Sequence, residues 1–145
     1  MPNGARIVTG SSNKTIRIWD AESGITVGEP LTGHNGVVNS VAYSLNGQYI
    51  ISGSSDHTIQ IWDAETGAPV GDSLEGHTDL VSSIAYSPDG QHIISGSFNC
   101  TIRIWDVKTG APVGNPLKGH TDPVWSIAYS PNGLHIISRS NDNTL

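Results

Sequence analysis

GHTDLVSSIAYSPDGQHIISGSFNCTIRIWD, residues 76–106, is the stretch that decides the fold. Its first two residues recur as Gly-His at positions 33, 76 and 119, and its last two recur as Trp-Asp at positions 19, 62 and 105. The glycine turn inside it, residues 88–90, recurs at 45–47 and 131–133. All three markers have a period of 43 residues, which indicates a protein built from one repeated structural unit.

Each unit has the pattern of short β-strands separated by tight turns. In the second unit, residues 58–62 alternate apolar and polar side chains, as expected for a strand with one buried face. Residues 38–43, 49–52 and 70–74 are the other strand segments of that unit, and small polar residues fill the connections. Four strands per period predict an all-β protein whose antiparallel four-stranded sheets are propeller blades.

The pattern GH…SPDG…SGSxD/NxTIRIWD resembles that of WD40 repeats, and the resemblance covers essentially the whole chain. The connecting sequence IWDAETGAPVG…LEGHT is similar to the near-identical repeats of long fungal and bacterial WD40 arrays. The resemblance implies a β-propeller with about 3.4 repeats in this chain, which is an incomplete ring. The expected divisions are a partial repeat 1–32, repeats 33–75 and 76–118, and a partial repeat 119–145.

The resemblance also implies a structural hydrogen-bonded tetrad in each blade. Its members are the His of Gly-His, the residue at the turn between the second and third strands, a hydroxyl of the second strand and the Trp of Trp-Asp. Asn replaces the usual Asp at two of the turns, which removes a charge that strengthens hydrogen bonds. The expected members are His34, His77 and His120; Asn13, Asp56, Asn99 and Asp142; Thr9, Ser52, Ser95 and Ser138; and Trp19, Trp62 and Trp105.

These residue types also make up a hydrolytic triad, but a catalytic set is expected once and not in every repeat. The histidines fall one per blade and therefore do not converge on a zinc ion within a blade. Neither standard pattern of a glycine-rich phosphate loop occurs. We therefore expect a protein that is not an enzyme and that has no catalytic residue, metal or cofactor.

Composition narrows the possible partners and location. The formal net charge is -6, and the seven Lys and Arg residues are scattered, so nucleic acid is not an expected partner. Cys100 is the single cysteine, which excludes an intrachain disulfide framework. No stretch is apolar and long enough to span a membrane, and none resembles a signal peptide. We expect a cytoplasmic protein that binds no membrane.

The repeat count raises the question of how the ring is completed. Residues 1–16 and 130–145 align as two copies of one segment, and propellers have four to eight blades. Either the chain is a piece of a longer array, or two chains close a six-bladed ring as a homodimer. Arg139 interrupts the repeat at the position of Gly10, Gly53 and Gly96, which indicates an imperfect or edge blade.

Positions that differ between near-identical repeats are the candidates for partner binding. The resemblance implies a top face that binds peptides through the residue before the turn Asp and through the start of the first strand. Phe98 is the only Phe, and Trp125 is the only Trp outside a Trp-Asp pair. The alternative is that Trp125 packs between blades and Phe98 fills a loop. The candidate positions are Phe98, Trp125, Leu80, Pro123, Asn39 and Ser55.

The sequence is compatible with three functions. The first is a non-enzymatic scaffold that presents its top face to proteins or peptides. The second is a self-assembling propeller fragment, natural or engineered, whose partner is its own copy. The third is a carbohydrate-binding propeller, because a fold alone does not exclude one.

Overall fold

The computed structural model describes residues 6–144, and every regular element in that range is a β-strand. The strands form four antiparallel sheets in chain order, here called sheets 1 to 4. Sheet 1 contains β1 (Arg6–Gly10), β2 (Ile16–Asp20) and β3 (Thr26–Leu31); sheet 2 contains β4 (Val38–Tyr43), β5 (Tyr49–Ser54) and β6 (Ile59–Asp63); sheet 3 contains β7 (Val81–Tyr86), β8 (His92–Ser97), β9 (Thr101–Asp106) and β10 (Leu117–Lys118); sheet 4 contains β11 (Val124–Tyr129) and β12 (Ile136–Ser140).

This architecture confirms the predicted all-β class of propeller blades, about 3.4 of them, without a closed ring in residues 6–144. The central strands β5 and β8 are buried over their last five residues. Their Ile-Ile-Ser-Gly-Ser sequence has no solvent-exposed face, because sheets cover both sides of the strand. No helix among the described residues has the length and apolar character needed to cross a membrane.

The outer strand of sheet 2 differs from the sequence-based expectation. The sequence predicts a strand over residues 70–74, but in the structure isolated bridges join Ile59 to Leu74 and Trp62 to Pro69. Gly71 lies between the two bridges with φ of 70°, a left-handed conformation that turns the chain out of the ladder. The corresponding strand of sheet 3, β10, is two residues long.

Neighbouring sheets meet through the same close contact at each junction. A glycine of β1, β5 or β8 faces a valine at the start of the next sheet, and a Cβ on the glycine would lie 2.7 Å from the valine Cγ1. Real Cβ atoms do not approach a carbon so closely, so only glycine permits this spacing. The three pairs are Gly10–Val38, Gly53–Val81 and Gly96–Val124.

Arg139 occupies the fourth glycine position, in β12, and is exposed. It pairs across the ladder with Ser126, as Gly53 pairs with Ser40 and Gly96 with Ser83. The register of the ladder is therefore the same as in sheets 2 and 3, and the side chain at this position differs. The fourth sheet cannot receive a following blade with the spacing of the other three.

Candidate functional site

Sheet 2 contains a complete network of four side chains. His34 Nδ1 lies 2.8 Å from Asp56 Oδ2, and His34 Nε2 lies 2.7 Å from Ser52 Oγ. Trp62 Nε1 donates to the same Ser52 oxygen at 2.8 Å. Because the carboxylate only accepts, Nδ1 carries the proton, and a neutral His34 then accepts the Ser52 hydroxyl proton at Nε2. The structure thus brings together the four residues that the sequence assigned to this blade.

Asp56 is held as a carboxylate by several donors. Burial opposes its ionisation, but hydrogen bonds from the Thr58 hydroxyl at 2.7 Å, from His34 and from the Asn35 backbone N–H at 2.9 Å outweigh burial. Together they lower the pKa of Asp56 to about 2. The turn between β5 and β6 is therefore fixed to the loop before β4 by a charged group.

Sheet 3 has the same network with a neutral turn residue. His77 Nε2 lies 2.7 Å from Ser95 Oγ, and Trp105 Nε1 donates to that oxygen at 2.8 Å. The Thr101 backbone N–H donates to Asn99 at 3.1 Å, which identifies the accepting atom as Oδ1. The amide Nδ2 then faces His77 Nδ1 at 3.3 Å and can only donate to it.

This orientation reverses the tautomer of the histidine. His77 Nδ1 accepts from Asn99, so the proton of the neutral ring is on Nε2 and is donated to Ser95. Burial lowers the pKa of His77 to about 4, and the positive charge of nearby Arg103 acts in the same direction. The guanidinium of Arg103 lies 5.9 Å from the centre of the Trp105 ring. Sheet 3 therefore keeps its histidine neutral, whereas sheet 2 supplies a carboxylate partner.

Sheets 1 and 4 each hold part of a network. In sheet 1, Trp19 Nε1 donates to Thr9 Oγ1 at 2.8 Å, and Asn13 Oδ1 accepts from the nearby Thr15 hydroxyl and N–H. In sheet 4, His120 lies 2.7 Å from the Ser138 hydroxyl and 2.8 Å from Asp142 Oδ2. Hydrogen bonds from Thr144, opposed by burial, lower the pKa of Asp142.

A recurring threonine, not among the residues predicted from the sequence, holds each turn residue. It lies two positions after each turn residue and donates both its hydroxyl and its N–H to that residue. In sheets 2, 3 and 4 it orients the carboxylate or amide toward the histidine. The signal is visible in the sequence, because the threonines follow the same 43-residue period: Thr15, Thr58, Thr101 and Thr144.

The complete networks of sheets 2 and 3 are closed to solvent at their hydroxyl groups. Ser52 and Ser95 are fully buried, and each hydroxyl oxygen already accepts a tryptophan N–H. A nucleophile must have room for a substrate carbonyl about 3 Å away, and no such room lies beside these oxygens. Among residues 6–144, no group of three or more His, Cys, Asp or Glu side chains is arranged to hold a metal ion.

The two unusual aromatic residues are in direct contact. The rings of Phe98 and Trp125 meet edge to face, with centroids 4.4 Å apart and an angle of 74° between planes. Trp125 is 46% exposed, and Phe98 is partly buried. The Phe98 N–H donates to the Leu80 carbonyl at 3.0 Å, which fixes the turn to the loop before β7. We call Phe98, Trp125 and Leu80 the aromatic face.

The other candidate binding residues have different surroundings. Pro123 is partly buried directly before β11, two residues from Trp125. Asn39 donates to the Ser55 hydroxyl at 3.1 Å and to the Val81 carbonyl at 3.0 Å. Asn39 and Ser55 are thus already paired with each other in sheet 2, whereas the aromatic rings leave surface free.

A groove of about 760 Å³ lies between sheets 2 and 3. Tyr49 and Asp106 line it, and they stand at the strand ends opposite to the turns that carry Ser55 and Phe98. Lys108 and Asp72 add charges of both signs to its wall. The groove is therefore separate from the aromatic face.

The sequence matches the family model described as WD domain, G-beta repeat, over residues 1–20, 25–63, 69–106 and 110–145. Comparison with the curated proteins gave no match. The matched segments cover most of the chain, and the described strands, networks and junctions recur with the same period. The chain belongs to the WD40-repeat family.

Proposed function

We propose that this chain is a non-enzymatic scaffold that binds proteins or peptides through its aromatic face. The observation that carries the proposal is the edge-to-face pair of Phe98 and Trp125, in which the tryptophan is nearly half exposed. Aromatic side chains with a free surface are frequent anchors of binding energy. The family supports the same general role, since WD40 repeats indicate an interaction scaffold.

The surroundings of the pair favour binding because they fix it before a partner arrives. The Asn99 N–H donates to the buried Ser97 hydroxyl, and the Asn99 side chain reaches His77, so the turn beside Phe98 is attached to the blade interior. The Ser97 hydroxyl in turn donates to the Asp79 carbonyl at 3.0 Å. A preorganised surface loses little conformational entropy on binding.

The test uses peptides selected from a displayed library on the wild-type chain. Phe98→Ala and Trp125→Ala are each expected to weaken the selected peptides by about thirtyfold, which corresponds to about 2 kcal/mol for an anchor residue. Leu134→Ala is the matched control, because Leu134 is 76% exposed and lies outside the aromatic face. Unchanged affinity of the double variant, or its unfolding, contradicts the proposal.

Self-association is a second candidate function, and the end sheets favour it. Ile7 in β1 is 52% exposed and Ile137 in β12 is 55% exposed, whereas Ile50 and Ile94 at the matching positions are fully buried. Two copies that cover these strands would close the six-bladed homodimer expected from the repeat count. Light scattering measures the mass directly, and a stable species at the 15.3 kDa of one chain contradicts this candidate.

A cytoplasmic location belongs to the same proposal. Cys100 is a free cysteine, and the networks that hold the blades contain no disulfide. A reducing compartment is compatible with such a protein. Fractionation of cells that express the chain tests the location, and recovery outside the cytoplasmic fraction contradicts it.

A further inference from the structure

Asparagine followed by glycine is a step at which a protein chain deamidates readily, because glycine has no side chain to shield its backbone nitrogen. That nitrogen gives up its proton and bonds to the asparagine Cγ, and the side-chain nitrogen leaves as ammonia. Water then opens the resulting succinimide to aspartate or to isoaspartate, in which the main chain runs through the side chain. Among residues 6–144 the step occurs at Asn35, Asn46 and Asn132, and a further one, at Asn3, lies outside the described residues.

Two of the three described asparagines are held in tight turns. Asn46 Oδ1 accepts from the Ser44 hydroxyl at 2.7 Å and from the Gln48 N–H at 3.0 Å. The Gly47 N–H donates to the Ser44 carbonyl at 2.9 Å. Attack requires the side chain to turn toward the glycine nitrogen, so these three hydrogen bonds must break first. The turn of sheet 4 has the same three bonds, which join Asn132 to Ser130 and Leu134, and Gly133 to Ser130.

Asn35 lies in the loop between His34 and β4 and has no such restraint. Its side chain is exposed, and its one hydrogen bond to a described residue comes from its backbone N–H. The Gly36 N–H has no partner within residues 6–144. The two groups that react can therefore meet without the loss of a hydrogen bond. The matching loops before β7 and β11 have Thr78 and Thr121 instead of the asparagine, so they lack the reactive amide.

We propose that Asn35 is the site of spontaneous deamidation among residues 6–144, and that the reaction releases the loop before β4 from the turn of sheet 2. The loop is tied to that turn at two points. The Asn35 N–H donates to Asp56 Oδ2 at 2.9 Å, and the Ser55 N–H donates to the Val37 carbonyl at 2.8 Å. Gly36, between these points, lies so close to the turn that a Cβ on it would be 2.5 Å from the Asp56 backbone nitrogen. Isoaspartate adds one atom to the main chain here, so one of the two bonds must break.

The product of the reaction fits the tight turns better than it fits the loop. Sheet 3 has Asp89 at the matching turn position, where its Oδ1 accepts from the Ser87 hydroxyl at 2.5 Å and from the Gln91 N–H at 2.9 Å. At position 35 an aspartate places a second negative charge beside Asp56, and like charges disfavour each other's ionised form. The reaction is therefore least restrained where its product disturbs the blade.

Peptide mapping by mass spectrometry tests the site. The intact chain is incubated at neutral pH in water enriched in heavy oxygen, which labels each amide that is hydrolysed during the incubation. In the folded chain we expect Asn35 to be converted at least about thirtyfold faster than Asn46 or Asn132, because three hydrogen bonds oppose the reaction at each turn. In urea the three rates should become similar, since unfolding removes those bonds. Equal rates in the folded chain, or fastest conversion at a turn, overturn the proposal.

A first variant tests the consequence of the reaction for the fold. Asn35→Thr supplies the residue of the other two loops and should abolish conversion at this position. After the incubation, the wild-type chain should unfold at a lower urea concentration than before, whereas Asn35→Thr should unfold at an unchanged one. A wild-type chain that is converted at position 35 and keeps its full stability overturns the release of the loop.

A second variant tests the protection of the turns. Ser44→Ala removes one donor from Asn46, and we expect conversion there to become about fivefold faster. The rate at Asn35 is measured in the same sample and should stay constant, which separates a local effect from general unfolding. An unchanged rate at Asn46 overturns the hydrogen-bond argument that selects Asn35.

Discussion

Sheets 2 and 3 use one geometry for two different electrostatic designs. In sheet 2 the Asp56 carboxylate accepts a hydrogen bond from His34 Nδ1 at 2.8 Å. In sheet 3 an amide, Asn99, donates to His77 at 3.3 Å, and the ring donates in turn to Ser95. The strands of the two sheets nevertheless pair in the same register. A hydrogen-bonded network can therefore keep its shape while the direction of its hydrogen bonds is reversed.

Removal of the histidine should show the largest difference between the two sheets. His34→Ala leaves the partly buried Asp56 carboxylate without its ring partner, and we expect a loss of about 3 kcal/mol in the free energy of unfolding. His77→Ala leaves only neutral groups unpaired and should cost about 1.5 kcal/mol. Urea unfolding measures both values. Both rings lie about equally far from their tryptophans, at 6.1 and 6.2 Å, so lost packing cancels in the comparison. Equal losses contradict the assigned difference.

Acid should weaken sheet 3 at a higher pH than sheet 2. The folded pKa of His77, about 4, lies below the ordinary value of 6.5, so the unfolded chain binds the proton first as pH falls. The contribution of neutral His77 to the free energy of unfolding is complete above pH 6.5 and is lost between pH 6.5 and pH 4. At pH 5 the loss is roughly 2 kcal/mol. The ionised Asp56 stabilises the folded chain down to a lower pH, because its pKa falls from the ordinary 3.8 to about 2 on folding. Its contribution to the free energy of unfolding is lost only between those two pH values.

The measurement is the free energy of unfolding as a function of pH. His77→Gln is the control, because glutamine does not titrate and should remove the slope between pH 6.5 and 5. If the variant and the wild type have the same slope, the neutral state assigned to His77 is wrong.

Putting the turn residue of one sheet into the other should change the free energy of unfolding by a smaller amount. The change should be stabilising in sheet 3 and destabilising in sheet 2. Asn99→Asp supplies an acceptor to His77 and to the Thr78 N–H, as Asp56 does for Asn35, and should stabilise by about 1 kcal/mol. Asp56→Asn should destabilise sheet 2 by a similar amount. The pH dependence assigned to His77 should also diminish in Asn99→Asp, since a carboxylate favours the charged ring. No change in stability or pH dependence would falsify the reversed tautomer.

The smallest effect should be common to both sheets. The residue after the turn is left-handed in each, with φ of 74° at His57 and 66° at Cys100. Glycine adopts this conformation without strain, and we expect His57→Gly and Cys100→Gly each to stabilise by about 0.5 kcal/mol. Thermal unfolding resolves changes of this size in a small protein. If the two substitutions change the stability by different amounts, part of the difference in stability between sheets 2 and 3 comes from the turn backbone and not from the network.

The sequence predicts the blades well because each of their markers repeats. The 43-residue period places His34, Ser52, Asp56 and Trp62 at constant offsets, and the structure brings these four together. The reversed network of sheet 3 is not readable in the same way. It depends on which end of the Asn99 amide faces Thr101, and that is a property of the folded turn.

Contacts between units are harder to predict than contacts within a unit. The sequence identifies Phe98 and Trp125 as unusual, but their 4.4 Å separation follows from the spacing of neighbouring sheets. The same is true of Arg139, whose consequence depends on how closely Gly96 approaches Val124. The outer strand of sheet 2 was overestimated because Gly71 adopts a left-handed conformation that a hydrophobic pattern does not reveal.

The uniform junctions have a consequence for how such a chain changes over evolutionary time. Gly10–Val38, Gly53–Val81 and Gly96–Val124 are the same contact, so gain or loss of one 43-residue segment by unequal recombination exchanges one junction for an identical copy. Such events are sterically neutral within the first three sheets. A duplication that placed Arg139 between two blades would bring its Cβ against the facing valine. Recombination of whole segments is therefore tolerated on the N-terminal side of Arg139 and not across it.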